Sequence, residues 1–246
     1  MSAEPSLRER IAGLRLLEDP EARAEGLLVC FSDRHGGVSS SPYDSLNLAA
    51  TVGDAPEAVA HNRARVASEA GFDLADLALT RQVHGAAIHE VQRGAAGVLG
   101  EADGLVVRER GPIAGILTAD CAPVVVLGRD GLALLHAGWR GLVAGVIERG
   151  VDELQGASRA WVGPSIRSCC YSVGPEVVAA FVQAGLPAAA SDRVDPADAA
   201  AFALRRAGVR SVAVAQECTS CDPRYFSFRR ERLTGRQGAF AGYLER

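Results

Sequence analysis

Between Ala78 and His136 the chain is cut into short apolar runs: Ala78–Val83, Ile88–Gln92, Gly104–Val107, Ile113–Thr118, Pro123–Leu127 and Leu132–Leu135. Gly, Asp or Pro stands between them. Runs this short, rich in Val, Ile and Leu and bounded by turn formers, read as strands rather than helices. A chain with such a centre must fold around a sheet, and the spacing predicts hairpins and a meander rather than strictly alternating βαβ units. Leu27–Phe31 adds a buried strand before this region, and Arg159–Val162, Ser211–Gln216 and Gln237–Leu244 add three after it. Asp54-Ala55-Pro56-Glu57 opens a helix with an acidic N-cap and Pro at N1, running to about Ala70 before Gly71 stops it. Leu142–Leu154 reads as a second helix. Gly174-Pro175-Glu176 and Asp195-Pro196-Ala197-Asp198 start two more. The expectation is a mixed α/β (α+β) fold, a single-domain layered sandwich with central mixed sheets flanked by helices. It spans residues 27–246 and follows a charged, helix-permissive segment over residues 1–26.

Composition narrows the function classes. At roughly 150 residues per domain, 246 residues make one large domain or two small ones. That is long enough to bury a core without disulfides or a metal. The 26 basic residues are all arginine and face 30 acids, for a net charge of −4. No global field favours polyanions, so no nucleic-acid partner is expected. No apolar run reaches the roughly 18 residues of a membrane span. Met1–Arg10 carries Glu4, Arg8, Glu9 and Arg10 where a signal peptide would be apolar. A cytoplasmic, soluble chain is expected, with no membrane partner. Its six cysteines would then be reduced thiols, some of them ligands or nucleophiles.

Three side chains stand where apolar strands end. His84 precedes Gly85, Cys121 follows Thr118-Ala119-Asp120, and His136 closes Leu132–Leu135 and opens Ala137-Gly138-Trp139-Arg140-Gly141. Strand ends beside glycine turns display side chains into a cleft. Two imidazoles and a thiolate form a three-ligand zinc set with an open fourth position, the arrangement of a catalytic site. The alternative is a hydrogen-bonded strand-end histidine beside an inert buried cysteine. The Gly-x-x-Gly turn after His136 offers backbone N–H groups to an anion, and Arg140 could grip a phosphate or carboxylate there. Arg34, in the polar loop Ser32-Asp33-Arg34-His35-Gly36-Gly37, offers the same chemistry or a structural ion pair. Of His35, His61 and His89, His35 is the one expected to line a pocket. Cys218-Thr219-Ser220-Cys221 is a CxxC without a second CxxC, and the adjacent Cys169 and Cys170 do not easily point at one metal. By type the CxxC is half a zinc site or a redox pair, coincidence is the favoured reading, and the sequence assigns no role to the four cysteines.

An ordered series of motifs carries a resemblance. It comprises Arg81-Gln82-Val83-His84-Gly85, Ala102-Asp103-Gly104-Leu105-Val106, Thr118-Ala119-Asp120-Cys121-Ala122-Pro123, His136-Ala137-Gly138-Trp139-Arg140-Gly141, Gly163-Pro164-Ser165-Ile166, Cys169-Cys170-Tyr171, Cys218-Thr219 and Phe226-Ser227-Phe228-Arg229-Arg230. From about Leu27 to the C-terminus the chain resembles the multi-copper polyphenol oxidoreductase, or laccase-domain, family. Members are described as purine nucleoside phosphorylases with adenosine deaminase activity, and some as peptidoglycan editing factors. The resemblance implies an α/β sandwich and zinc at His84, Cys121 and His136. It also implies phosphorolysis of adenosine, inosine, guanosine and methylthioadenosine, with deamination of adenosine. Ser172, Arg167-Ser168 and Val194-Asp195-Pro196 depart from the family pattern and bear on the substrate pocket.

On this expectation, zinc lowers the pKa of a water for attack on adenine C6, and Asp120 moves the proton or else orients a ligand histidine. For phosphorolysis Arg140 holds the phosphate, with Arg34 or Arg229 second. The rivals are a metal-free cysteine hydrolase with Cys121 as nucleophile, a binding or editing partner in cell-wall precursor synthesis, and a copper-dependent polyphenol oxidase. Copper suits a His2Cys set, yet the only methionine is Met1 and five histidines are few for a multicopper centre. A monomer is favoured.

Overall fold

The computed structural model describes residues 4–245. In chain order its elements are β1 (Arg8–Ile11), β2 (Arg15–Glu18), α1 (Pro20–Ala24), β3 (Leu27–Ser32), α2 (Pro56–Ala70), β4 (Leu77–Arg81), β5 (Ile88–Glu90), β6 (Gly97–Glu101), β7 (Gly104–Val107), β8 (Ile113–Thr118), β9 (Ala122–Leu127) and β10 (Leu132–Ala137). They continue with α3 (Trp139–Val143), α4 (Val146–Asp152), β11 (Arg159–Val162), α5 (Pro175–Gln183), α6 (Pro196–Arg206), β12 (Ser211–Val214), α7 (Phe228–Glu231) and β13 (Gln237–Tyr243). The strands form two mixed sheets, in the orders β1-β2-β3-β13-β8-β4-β6 and β12-β11-β9-β10-β7-β5. Within them β8-β4, β4-β6, β12-β11 and β7-β5 pair in parallel and the rest antiparallel.

Side-chain alternation along the strands builds the layers. Val29, Phe31, Ala114, Ile116, Ala239 and Ala241 of the first sheet meet Leu105, Val107, Val125, Leu132, Leu134 and Trp161 of the second, forming the central core. Their neighbours on the opposite faces are buried too. Leu28, Cys30, Ile113 and Phe240 pack under Val66 and Ala70 of α2. Val106, Val124, Val126, Ala133 and Leu135 pack under α4, α5 and α6. The result is the expected sandwich, in four layers: helix, sheet, sheet, helices.

The meander is not observed. From β4 to β10 the chain passes between the two sheets, placing β4, β6 and β8 in one and β5, β7, β9 and β10 in the other. Since both faces of the central strands are buried, polarity carries no mark of which sheet each strand joins. The expected helix over Leu142–Leu154 begins earlier, at Trp139, and breaks at Gly145, whose φ of 80° is left-handed. Asp54 is not the N-cap of α2. Ala55 fills that position, while Asp54 accepts from the Ala55 N–H and the Asn47 side chain. The strand β6 and the short helix α7 were not foreseen.

Before Leu27 the described residues hold two short strands and the helix α1, with β2 pairing onto β3. Asp19 anchors them. It is 1% exposed, caps α1 by accepting from the Ala22 N–H, and accepts the Trp161 indole N–H at 2.6 Å from the second sheet. Asp19→Ala removes the cap and leaves a buried indole donor unpaired. The expected loss is about 2–4 kcal/mol, read as a lower urea midpoint in a single transition. A separate early transition for the N-terminal residues would contradict this.

Candidate functional site

The pairing directions bring many strand ends to one place. β4 and β8 run parallel, β13 begins where β8 ends, and β3 ends beside the start of β13. In the second sheet β10 and β11 end where β9 begins, and β12 runs alongside β11. The loops after β3, β4, β8, β10, β11 and β12 therefore gather at one end of the sandwich, together with Asp103 just before β7.

His84 lies three residues beyond β4, Cys121 between β8 and β9, and His136 is the penultimate residue of β10. Ligand atoms of all three lie within 4.8 Å of one another. The two imidazoles approach edge-on, with ring centroids 4.8 Å apart. His136 is buried, Cys121 half-buried and His84 exposed, so the cluster faces solvent on one side. Gly138 is required by the close approach: a Cβ there would stand 2.9 Å from both Cys121 Sγ and His84 Cδ2. This donor set, with its space kept clear by a glycine and one side open, fits zinc. Copper fits these ligand types only in part, since a blue-copper site also takes a weak axial ligand such as Met and the only methionine is Met1.

Asp103 organises these ligands. The sequence marks it only as the acid before Gly104, where β7 starts opposite the end of β10. It is fully buried. One oxygen accepts the His136 Nδ1–H at 2.8 Å, leaving Nε2 free to ligate. The carboxylate also accepts the backbone N–H groups of Val83, His84 and Gly85 at 2.6–3.1 Å. His84 has φ 62°, a left-handed conformation costly for a non-glycine, and these bonds hold it there. Burial pushes the Asp103 carboxyl up, but the His136 and backbone bonds outweigh it and hold the group below the usual carboxylate range. Burial likewise raises the Cys121 thiol, and the His136 and His84 imidazoles override that and lower it. Burial lowers His136, whereas Cys121 and Asp103 together raise it.

Asp120 is not what orients the ligand histidines, since Asp103 does that. Asp120 is buried beside Cys121 with φ 97°. Its Oδ1 accepts from the Thr219 hydroxyl and its Oδ2 from the Arg229 N–H, both at 2.7 Å. Arg229 also donates to the Ser172 carbonyl and lies over the Tyr171 ring. Arg140 is exposed, stacks on Trp139 and forms no ion pair with a described residue. Arg34 is buried and engaged: it meets Glu231 at 2.6 Å, donates to the Asp44 carbonyl and lies over Phe226. The side chain of His35 is exposed in that loop.

Two features escaped the sequence. Arg236, just before β13, is half-buried with its guanidinium on the Thr234 and Gly235 carbonyls. Burial lowers its pKa, while Cys121 and Asp120 are near enough to oppose the shift. Its only signal is a position between Gly235 and Gly238. The second feature is a cluster of Cys169, Cys170, Cys218 and Cys221, whose sulfurs lie within 4.8 Å of one another. The CxxC is therefore not isolated, and both adjacent cysteines do point at one place.

Fold and site together define a two-sheet α/β sandwich with an open His-Cys-His centre at one end. The chain matches the family model described as multi-copper polyphenol oxidoreductase laccase over residues 28–243, and it belongs to that family. It is 37% identical over 229 residues to the purine nucleoside phosphorylase YfiH of Escherichia coli, covering 88% of this chain and 93% of that protein. It is 38% identical over 232 residues to the purine nucleoside phosphorylase ORF3 of Streptomyces griseus, covering 87% and 92%. The crystal structure of YlmD from Geobacillus stearothermophilus superposes with a TM-score of 0.89 at 30% identity, over 98% of this chain and all of that one. That of YfiH from Bacillus licheniformis gives 0.87 at 30%, over 96% and 99%. No helix among the described residues is long and apolar enough to cross a membrane.

Asp103→Asn keeps the shape but replaces one acceptor oxygen with an NH2 donor, so that either the His136 Nδ1–H and His84 N–H or the Val83 and Gly85 N–H groups lose their acceptor. Metal affinity is expected to fall about 10–100-fold, measured by competition with a chromophoric chelator. Unchanged affinity would remove Asp103 from this role.

Proposed function

We propose that this chain is a zinc-dependent purine nucleoside phosphorylase that also deaminates adenosine. Its substrates on this reading are adenosine, inosine, guanosine, methylthioadenosine and phosphate. The observation that carries the proposal is the His84-Cys121-His136 cluster, held by Asp103 and open to solvent on the His84 side. The names of the relatives support the substrate class. All three ligands come from one chain, so a monomer suffices.

A zinc ion held there would supply Lewis acidity and one open coordination position. The protein does the rest. In phosphorolysis a phosphate oxygen bonds to C1′ of the ribose while the bond from C1′ to the purine nitrogen breaks, and the electron pair leaves with the base. The transition state at C1′ is oxocarbenium-like, so the protein must align the phosphate and stabilise the departing purine. Arg140 meets the phosphate, because its charge has no partner among the described residues and Trp139 holds its plane. Arg229 is the second contact. Arg34 is weaker, since Glu231 already answers its charge. In deamination the oxygen of a water bonds to adenine C6 and the bond from C6 to the amino nitrogen breaks, while Asp120 takes the water's proton and returns it to the departing amine. Thr219 and the Arg229 N–H fix its carboxylate, leaving each oxygen one lone pair for that task.

A second reading has its own observation. Asp103, His136 and Cys121 stand in series, as a cysteine hydrolase would place its orienting acid, base and nucleophile. Metal dependence separates the two. For the zinc enzyme, His84→Ala, Cys121→Ala and His136→Ala should each lose about one zinc per chain and all purine release. Inactivation by iodoacetamide with indifference to chelators would instead establish the hydrolase. Arg140→Ala should retain its zinc and raise the phosphate KM about tenfold or more. An unchanged phosphate KM would take Arg140 out of the phosphate site.

A further inference from the structure

The second cysteine cluster shares no ligand with the His84 centre and follows from topology. β11 and β12 are parallel neighbours, so the loops after them leave the sheet side by side. The ladder continues beyond the strands through the Ser165–Cys218 bridge, with the Thr219 N–H donating to the Ser165 carbonyl at 3.0 Å. One loop carries Cys169 and Cys170, the other Cys218 and Cys221. A turn closed by the Cys170 and Tyr171 N–H groups on the Arg167 carbonyl swings the two adjacent cysteines inward. The CxxC curls as the Cys221 and Asp222 N–H groups both donate to the Cys218 carbonyl.

We propose that Cys169, Cys170, Cys218 and Cys221 form a closed tetrathiolate site for a structural zinc ion that clamps these two loops together. Four sulfurs around zinc at about 2.3 Å make a tetrahedron with edges of about 3.8 Å. Here Cys221 Sγ lies 3.1 Å from Cys170 Sγ and 3.5 Å from Cys169 Sγ, and all four sulfurs fall within 4.8 Å. The four sulfurs are unbridged. The Arg167 N–H points at Cys218 Sγ from 3.4 Å, the kind of donor that steadies a thiolate. A zinc tetrathiolate carries net negative charge, and arginines surround it. Arg230 donates to the Thr219, Ser220 and Asp222 carbonyls, Arg193 to those of Ser168 and Cys169. Four thiolates and no open position make a structural site rather than a catalytic one.

The clamp would bear on the other centre through its neighbours in sequence. Thr219, next to Cys218, donates to Asp120, and the Ile166 N–H donates to the Asp120 carbonyl. Tyr171, next to Cys170, lies under Arg229. Zinc in the cysteine cluster would thus fix the wall of the pocket without touching the reaction.

The test is metal content and spectroscopy on the full chain purified under reducing conditions. The wild type should hold about two zinc ions, the His84→Ala/His136→Ala variant about one, and the Cys218→Ser/Cys221→Ser variant about one. After chelation and reloading with cobalt, intense thiolate charge-transfer absorption should persist in the His84→Ala/His136→Ala variant. This readout is independent of the catalytic reading and survives its failure. If the serine variant does not fold, the wild type still decides: its four clustered thiols should resist a thiol reagent until a chelator is added. One zinc per chain, lost entirely in His84→Ala/His136→Ala, overturns the proposal. So do four thiols that react freely without chelator, or a mass lower by two hydrogens per bridge, which would mark disulfides.

Discussion

Asp103 accepts four hydrogen bonds while fully buried, one from the His136 ring and three from the consecutive N–H groups of Val83, His84 and Gly85. A carboxylate taken out of water costs several kcal/mol unless such donors meet it. Here the donors come from the turn after β4 in the first sheet and from β10 in the second. One charge therefore ties the ends of both sheets together, sets the tautomer of His136 and holds His84 in a left-handed conformation. The three ligands can converge because Asp103 fixes two of them and Gly138 leaves room for the third.

The two sulfur-bearing clusters differ in the way that open and closed metal sites differ. His84, Cys121 and His136 grade from exposed to buried and leave one side to solvent. The four-cysteine cluster spends all its ligands on itself and lies between two loops that have no catalytic group of their own. Its neighbours nonetheless reach Asp120 and Tyr171, so loop positioning and pocket chemistry are coupled through adjacent residues in the chain. The family's copper-oxidase description fits the ligand types of the open site only in part, because the sequence offers no internal methionine as a weak axial ligand.

Arginine supplies every basic side chain in this protein, and the end of the sandwich that holds the site shows what that allows. Arg167 spans Asp195, Asp198 and the Ala215 carbonyl, joining the Cys169 loop to α6 and β12. Arg230 gathers the carbonyls of the CxxC turn, and Arg34 bridges Glu231 and the Asp44 carbonyl. A planar fork with several donors can stitch loops in this way, where a lysine could offer only a point charge. Arg167 and Asp195 meet through two bonds of 2.9–3.0 Å, so each answers the other's charge. Arg140 forms no ion pair with a described residue and stacks on Trp139 instead.

The sequence by itself determined the strands from Ile113 to Leu135, the starts of α2, α5 and α6, and the three side chains of the open site. Each is a local matter: a short Val-, Ile- and Leu-rich run between turn formers, a Pro at a helix start, or a ligand at a strand end beside glycine. Tertiary structure alone decided which sheet each strand joined, because strands buried on both faces carry no polarity to mark their partner. It also decided that β1 and β2 join the first sheet, since strands of four residues gain their bonds from neighbours, β1 from β2 and β2 from β3, and not from their own pattern. Asp103, Arg236 and the four clustered cysteines belong to the same class. Asp103 lies 18 or more residues from its donors, Arg236 is remote in sequence from Cys121 and Asp120, and the Cys169-Cys170 pair is remote from the CxxC; parallel pairing and sheet closure bring them together, and a linear sequence does not record that adjacency.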